Sequence, residues 1–197
     1  MLQGLRSVFV SGCFVSWMNT LTTLIFMDIL FSTRLELVPI TVELCNADLA
    51  SHELLGKNLN ARIPESWPPA LVTRETLGEF IALLTASGGI RLYAWYWIRV
   101  GPSPDERILV GSGGFVRGED NILELGYSVL DEFQCQGYAT EAVKIMISWA
   151  ENDLRVGFIK ACTFPELTGS IKVLERTGFS YVGEGDEEGS LAYSKTP

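Results

Sequence analysis

Six residues, Gln134-Cys135-Gln136-Gly137-Tyr138-Ala139, form the stretch of this chain best suited to hold an anion. A strand-like pattern precedes them and an amphipathic helical pattern follows. Their backbone N–H groups therefore gather at a helix N-terminus, where no intrahelical acceptor reaches them. Gly137 lets the backbone approach a phosphate, and the helix end contributes about 0.3–1 kcal/mol per charge, up to about 2 when partly buried. An ordinary strand-to-helix turn fits the same six residues equally well. Cys135 is either a thiol made reactive by the helix end or a spacer within the loop.

Other residues with chemical potential are scattered. Trp67, Trp95 and Trp97, with Tyr93 and Tyr96, could line an acceptor pocket, yet aromatics alternating along a strand bury one face in the core. Cys13, Cys45, Cys135 and Cys162 lie far apart, and His52 has no second ligand near it in sequence. This is neither a metal-ligand spacing nor a compact disulfide framework, so no metal is expected and the cysteines read as reduced thiols of a cytoplasmic protein.

The elements that must position these residues follow from composition and period. With 47% hydrophobic and 20% charged residues in 197, the chain suits one globular domain with a sizeable core. A formal net charge of -9 opposes the basic stripe that nucleic-acid binding requires and favours cationic or neutral ligands. Arg34 to Val38 alternates as a half-buried strand, with Pro39 ending or edging it. Asn46 reads as the N-cap of a short helix stopped near Gly56, Pro64 to Pro69 as a loop, and Thr73 as the start of a second helix carrying Leu77, Phe80, Ile81 and Leu84. Tyr93–Val100, Ile108–Val116 and Ile122–Leu130 read as an antiparallel meander, joined first through a connection at Gly101 to Asp105. Gly111, Gly113 and Gly114 in its middle strand mark either a bulge or a close backbone approach.

The clearest helix begins beside Gly137, with Ala139, Ala142, Val143, Met146, Ile147 and Ala150 on one face. A strand over Phe158–Phe164, a helix capped by Thr168 and stopped by Gly178, and strands near Phe179–Val182 and Ser190–Tyr193 complete the order. Residues 1–31 form an apolar extension to a domain spanning residues 32–197. Val8 to Met27 carries no charge, but seven small or polar residues interrupt it and Asp28 closes it. It is read as an added element, a partner-binding arm or a start-site extension, with membrane association the less favoured alternative.

Three motifs then resemble one family in order and spacing: Glu124-Leu125-Gly126-Tyr127, Gln134-x-x-Gly137-x-Ala139 continuing through Thr140-Glu141-Ala142, and Ser170 to Phe179. Together they are similar to the GNAT superfamily of N-acetyltransferases, and within it to the Rim-type enzymes that acetylate N-terminal amines of ribosomal proteins. The resemblance spans roughly Arg34 to Lys195. It implies a mixed α+β fold, with a mostly antiparallel twisted sheet of about six or seven strands, splayed at the cofactor site and flanked by about four helices. It also implies acetyl-CoA as cosubstrate, with its pyrophosphate on Gln134, Cys135, Gln136, Gly137, Tyr138, Ala139 and Thr140. The backbone near Val129 would pair with pantetheine, and N–H groups around Leu125 to Tyr127 would face the thioester oxygen.

On this resemblance Glu124 is the expected base, acting directly or through water, and Ser170 the expected donor to the departing sulfur. Trp67, Trp95 and Tyr127 are candidates for the acceptor pocket. Two positions depart from the family: Leu167 stands where the motif has Asn, and Leu174 where other branches carry an acidic Tyr. The implied function is transfer of acetyl to a primary amine, on a protein N-terminus or a small molecule. A CoA-binding sensor that has lost efficient transfer is the alternative, and the oligomeric state is not legible.

Overall fold

The computed structural model describes residues 27–196 apart from residues 71, 87–90, 104–105, 119–121 and 155. Nearly all of the apolar segment beginning at Val8, and residues 104 and 105 of the expected connection, lie outside the described residues. Among the described residues no helix is long and apolar enough to cross a membrane.

Among the described residues a single eight-stranded sheet carries five α-helices, in the chain order β1 (Leu30–Phe31), β2 (Leu35–Pro39), α1 (Val42–Ala50), α2 (His52–Leu59), α3 (Arg74–Thr85), β3 (Leu92–Arg99), β4 (Ile108–Arg117), β5 (Leu123–Val129), α4 (Tyr138–Trp149), β6 (Ile159–Thr163), α5 (Thr168–Arg176), β7 (Ser180–Glu184) and β8 (Leu191–Lys195). Strand order across the sheet is β1-β2-β3-β4-β5-β6-β8-β7. All pairs are antiparallel except β5 with β6, which are parallel and joined through α4.

The expected mixed fold is present, with one strand and one helix more than the sequence suggests. The extra strand is the two-residue β1, which pairs Leu30 with Leu37 and Phe31 with Glu36. The single helix expected after Asn46 is instead two, because Thr41 and Ser51 each accept an N–H three residues on, from Leu44 and Leu54. Asn46 lies inside α1. Gly56 lies inside α2, which ends at Asn60 with a left-handed φ of 47°. What requires glycine at position 56 is the carbonyl oxygen of Ala61, 2.9 Å from where a Cβ would stand.

The sheet divides the core in two. On one face Tyr93 and Trp95 of β3 meet Trp149 of α4, with ring centroids 5.5 and 4.9 Å apart. On the other face Asp48 of α1 accepts from Tyr96 Oη at 2.8 Å and Trp67 Nε1 at 2.9 Å, tying α1 and the proline-rich loop to β3. Burial raises the Asp48 carboxyl above its ordinary value, while these two donors oppose the rise. Helix α4 buries Ala142, Val143, Met146 and Ile147 as its period requires. Burying each of the three larger side chains is worth about 1.5–3 kcal/mol before entropy is counted.

Both readings of the β4 glycines hold. Trp97 pairs with Gly111 but Ile98 with Leu109, so Val110 is the extra residue of a bulge. Gly113 is needed for packing, since a Cβ there would stand 2.6 Å from Trp97 Cζ2 and 2.7 Å from Tyr127 Cβ. We therefore expect Gly113→Ala to lower stability by about 1–3 kcal/mol through overpacking. Gly126→Ala, which meets nothing within 4 Å, should stay within about 0.5 kcal/mol. Urea unfolding of the two variants checks this, and equal midpoints would refute the packing role.

Candidate active site

Strands β5 and β6 stay together for only two residue pairs, Leu123 with Ile159 and Glu124 with Lys160. Beyond them β5 remains paired to β4 as far as Val129, while β6 remains paired to β8 as far as Thr163. A crevice opens between them. Leu123 N–H donates across to the Phe158 carbonyl, so by alternation the main-chain groups of Leu125, Tyr127 and Val129 also turn toward the β6 side. One lone pair of the Val129 carbonyl is taken by Gln134 Nε2 at 3.1 Å, and the same amide donates to Asp131 Oδ1 at 2.8 Å. Gln134 thus closes the end of β5 with its side chain and presents its backbone to the loop.

The loop from Gln134 enters α4 through two left-handed residues, Cys135 (φ 58°) and Gly137 (φ 85°), which turn the chain sharply into the helix. Gly137 is the N-cap, and no side chain caps it. The first helical bond is Glu141 N–H to the Gly137 carbonyl, so the N–H groups of Tyr138, Ala139 and Thr140 have no intrahelical acceptor. Cys135 is a free, exposed thiol at the rim.

Arg34, from just before β2, fixes this loop. Its guanidinium pairs with Glu141 through Nε at 2.8 Å and Nη2 at 2.6 Å, donates from Nη1 to the Gln136 carbonyl at 3.1 Å, and lies 4.6 Å from the centroid of the Tyr138 ring. Ser32 Oγ and the Arg34 N–H also donate to Glu141 Oε1. Desolvation alone would raise the Glu141 carboxyl, but the donors from Ser32 and Arg34 outweigh it and hold it below its ordinary value. Nothing in the local pattern around Arg34 marks it for this role, because its partners lie over 100 residues away.

Two candidates meet on the α4 side of the sheet. Tyr127 stacks on Trp97, with centroids 6.4 Å and planes 24° apart, and its Oη lies 3.0 Å from Ser170 Oγ on α5. Helix α5 starts one residue earlier than expected: its N-cap is the exposed Leu167, with no side-chain cap, and Thr168 is its first residue. The N–H groups of Gly169 and Ser170 therefore point out of the first turn without an intrahelical acceptor. Thr163, where β6 ends, has a buried hydroxyl with no partner among the described residues.

Glu124 is on the opposite face, beside Lys160, its partner across the parallel pair. The exposed Glu124 carboxylate, Cys162 Sγ and a carboxylate oxygen of Asp186, in the β7–β8 turn, lie within 4.8 Å of one another. The cation among them is the Lys160 ammonium, 2.5 Å from Asp186 Oδ2. That hydrogen bond raises its pKa, with the charges of Asp186 and Glu124 adding to the effect. The sequence gives no sign of this grouping, which depends on the β7–β8 turn folding back over β6.

The aromatic candidates need correction. Trp95 is fully buried and donates from Nε1 to the Asp28 carbonyl, and Trp67 is 3% exposed and committed to Asp48. Both are packed in the core. The third acceptor candidate, Tyr127, is on the sheet face opposite Glu124, turned toward α5.

Comparison with known proteins fits this geometry. Residues 34–180 match the description of an Acetyltransferase (GNAT) domain. The chain belongs to the GNAT family of N-acetyltransferases. Its relatives include the uncharacterized N-acetyltransferase YjdG of Bacillus subtilis, 28% identical over 155 residues that cover 78% of this chain and 90% of YjdG. The GNAT fold is shared with the ribosomal-protein-S5-alanine acetyltransferase of Vibrio fischeri (TM-score 0.60, 19% identity, 86% of this chain and 97% of that one). It is shared equally with RimL, a ribosomal L7/L12 α-N-protein acetyltransferase in complex with coenzyme A (TM-score 0.61, 17% identity, 86% and 98%).

For this GNAT enzyme the Arg34–Glu141 pair predicts a pH signature. A carboxyl with a lowered folded-state pKa stabilises the fold above its unfolded pKa and loses that contribution as pH falls through the folded value. Arg34→Ala should therefore cost about 1 kcal/mol at pH 7, discounted for exposure of the guanidinium. The difference from wild type should shrink as pH falls below the ordinary carboxyl value of 4.5. Urea unfolding at pH 7 and pH 3.5 measures both, and a difference independent of pH would show that the pair does not hold the loop.

Proposed function

We propose that this enzyme transfers the acetyl group of acetyl-CoA to a primary amine by direct attack, without a covalent enzyme intermediate. The observation that carries the proposal is the crevice between β5 and β6. Uncapped amides at the start of α4 lie on one side of the sheet and the exposed Glu124 carboxylate, beside Lys160 and Asp186, on the other. Such a crevice suits a long, phosphate-ended ligand threaded through the sheet, with the acceptor approaching from the far face. The complex of RimL with coenzyme A supports the same cosubstrate.

The residues fit that ligand. Backbone N–H groups from Gln134 to Thr140 would hold the diphosphate, helped by the α4 dipole. Main-chain groups of Leu125, Tyr127 and Val129 would pair with the pantetheine arm. When bound, acetyl-CoA supplies the activated acyl group, and the protein supplies position and proton traffic. The β5 amides stabilise negative charge at the carbonyl oxygen. Ser170 Oγ–H serves the departing sulfur, beside the open end of α5. Glu124, directly or through water, removes the proton from the incoming ammonium.

The acceptor class that best suits this base is an α-amine. Neutralising an amine of pKa about 8 at pH 7 costs about 1.4 kcal/mol, against about 4.6 for a lysine near 10.4. An exposed carboxylate suffices for the first. Protein N-termini fit this requirement, as do weakly basic small amines, and the net charge of -9 steers cationic acceptors inward. The ribosomal-protein substrates of the structural neighbours point to N-termini first.

The test combines calorimetry with CoA and acetyl-release assays on a panel of N-terminal peptides and small amines. Glu124→Gln should lower kcat/KM on any active amine by roughly 10²–10⁴-fold while CoA affinity stays the same. Turnover in this variant equal to wild type from pH 6 to 9 would remove Glu124 from the mechanism. Failure of CoA to bind at millimolar concentration would remove the whole proposal.

A further inference from the structure

Tyr127 and Ser170 come from elements on opposite sides of the crevice, yet their hydroxyls meet. Tyr127 Oη lies 3.0 Å from Ser170 Oγ, in a geometry where either can donate, and 3.3 Å from the Ser170 carbonyl, to which it can only donate. Each hydroxyl has one hydrogen, so the contacts allow two arrangements. In one, Ser170 donates to Tyr127 and Tyr127 donates to the Ser170 carbonyl, leaving no hydrogen for a third group. In the other, Tyr127 donates to Ser170 Oγ and frees the serine hydrogen to point elsewhere. Only the second lets Ser170 serve a sulfur atom.

Resting on the reading of Ser170 as the group facing the departing sulfur, we propose that Tyr127 is the positioning residue that sets the direction of the Ser170 hydroxyl. Thioester binding favours the second arrangement, in which Tyr127 Oη–H donates to Ser170 Oγ and Ser170 Oγ–H donates to sulfur. When the acyl carbon–sulfur bond breaks, its electron pair goes to sulfur. The resulting negative charge is met by a serine hydrogen bond that the phenol has polarised. No proton needs to leave Tyr127, so the phenol is unchanged after each turnover.

The surroundings hold Tyr127 to this task. Its ring stacks on the fully buried Trp97, and Gly113 opposite supplies the room. Burial raises the phenol above its ordinary value, while the Ser170 bond pulls the other way, so the group remains a hydrogen donor at neutral pH. The adjoining α5 N-terminus, without a side-chain cap, adds a positive field for the same charge. The position is also chemically apt, because Leu174 leaves α5 without a phenol of its own.

The test reads the pKa of the thiol of bound CoA, from the ¹³C shift of the labelled carbon beside sulfur, and needs no acceptor amine. Wild type should hold this thiol below the value of free CoA. Tyr127→Phe, which keeps the stacking ring, should raise it by about half to one unit, the size of one hydrogen bond, with CoA affinity at pH 6 unchanged. Ser170→Ala should raise it at least as far, and the double variant should match Ser170→Ala. 3-Fluorotyrosine at position 127, a stronger donor of nearly the same shape, should lower it below wild type. A shift in Ser170→Ala without one in Tyr127→Phe overturns this inference and leaves the role of Ser170 standing, as would strictly additive shifts in the double variant. No shift in Ser170→Ala overturns the Ser170 reading itself, and the inference with it.

Discussion

The site depends on a failure of pairing. Parallel strands β5 and β6 are joined through α4 and begin in register, yet they separate after Glu124 and Lys160. A continuous sheet would have used the β6-facing amides and carbonyls of β5 as ladder bonds, with no passage between the faces. Each strand is held away by its other neighbour, β5 by β4 up to Val129 and β6 by β8 up to Thr163. Backbone polar groups that leave a ladder must find another partner or stay open to water. Gln134 supplies that partner at one end with its side chain.

The parting also sorts the functional groups by side. Alternation along β5 sends Tyr127 toward α4 and α5, and Glu124 toward the β7–β8 turn. The uncapped amides of α4 and the serine–tyrosine pair thus share one face, while the Glu124 carboxylate and the Lys160–Asp186 pair share the other. The proposed base and the proposed donor to the leaving group are separated in this way, as suits one that would act on the incoming nitrogen and one on the departing sulfur. The same alternation places Trp95 and Tyr93 under Trp149, and Tyr96 over Asp48. The aromatic strand β3 is therefore a rigid wall between two halves of the core.

Long-range ties make the loop before α4 more than a turn. Arg34 joins the start of β2 to the Gln136 carbonyl, the Glu141 carboxylate and the Tyr138 ring. By drawing the Gln136 carbonyl to one side, it keeps that oxygen away from the amides that follow. In an acidic protein the loop is thus organised by a cation already partly neutralised by Glu141 and is not left to surface lysines.

Much of this was legible in the chain itself. Period-two runs gave β3, β4 and β5, the stripe from Ala139 to Ala150 gave α4, and the three motifs in order gave the family, because these are local patterns fixed by backbone geometry. Local pattern misled at Asn46, which reads as a cap where Thr41 and Ser51 make the capping bonds, and where aromatic residues could be either wall or pocket. Only the tertiary structure decided that Trp67 and Trp95 are core, that Arg34 governs the loop, that Tyr127 reaches Ser170, and that Lys160 and Asp186 stand beside Glu124. Each of these rests on contacts between residues 19 to 107 positions apart or on the point at which two strands separate. Periodicity carries no information about such distances, which are set by how whole elements pack.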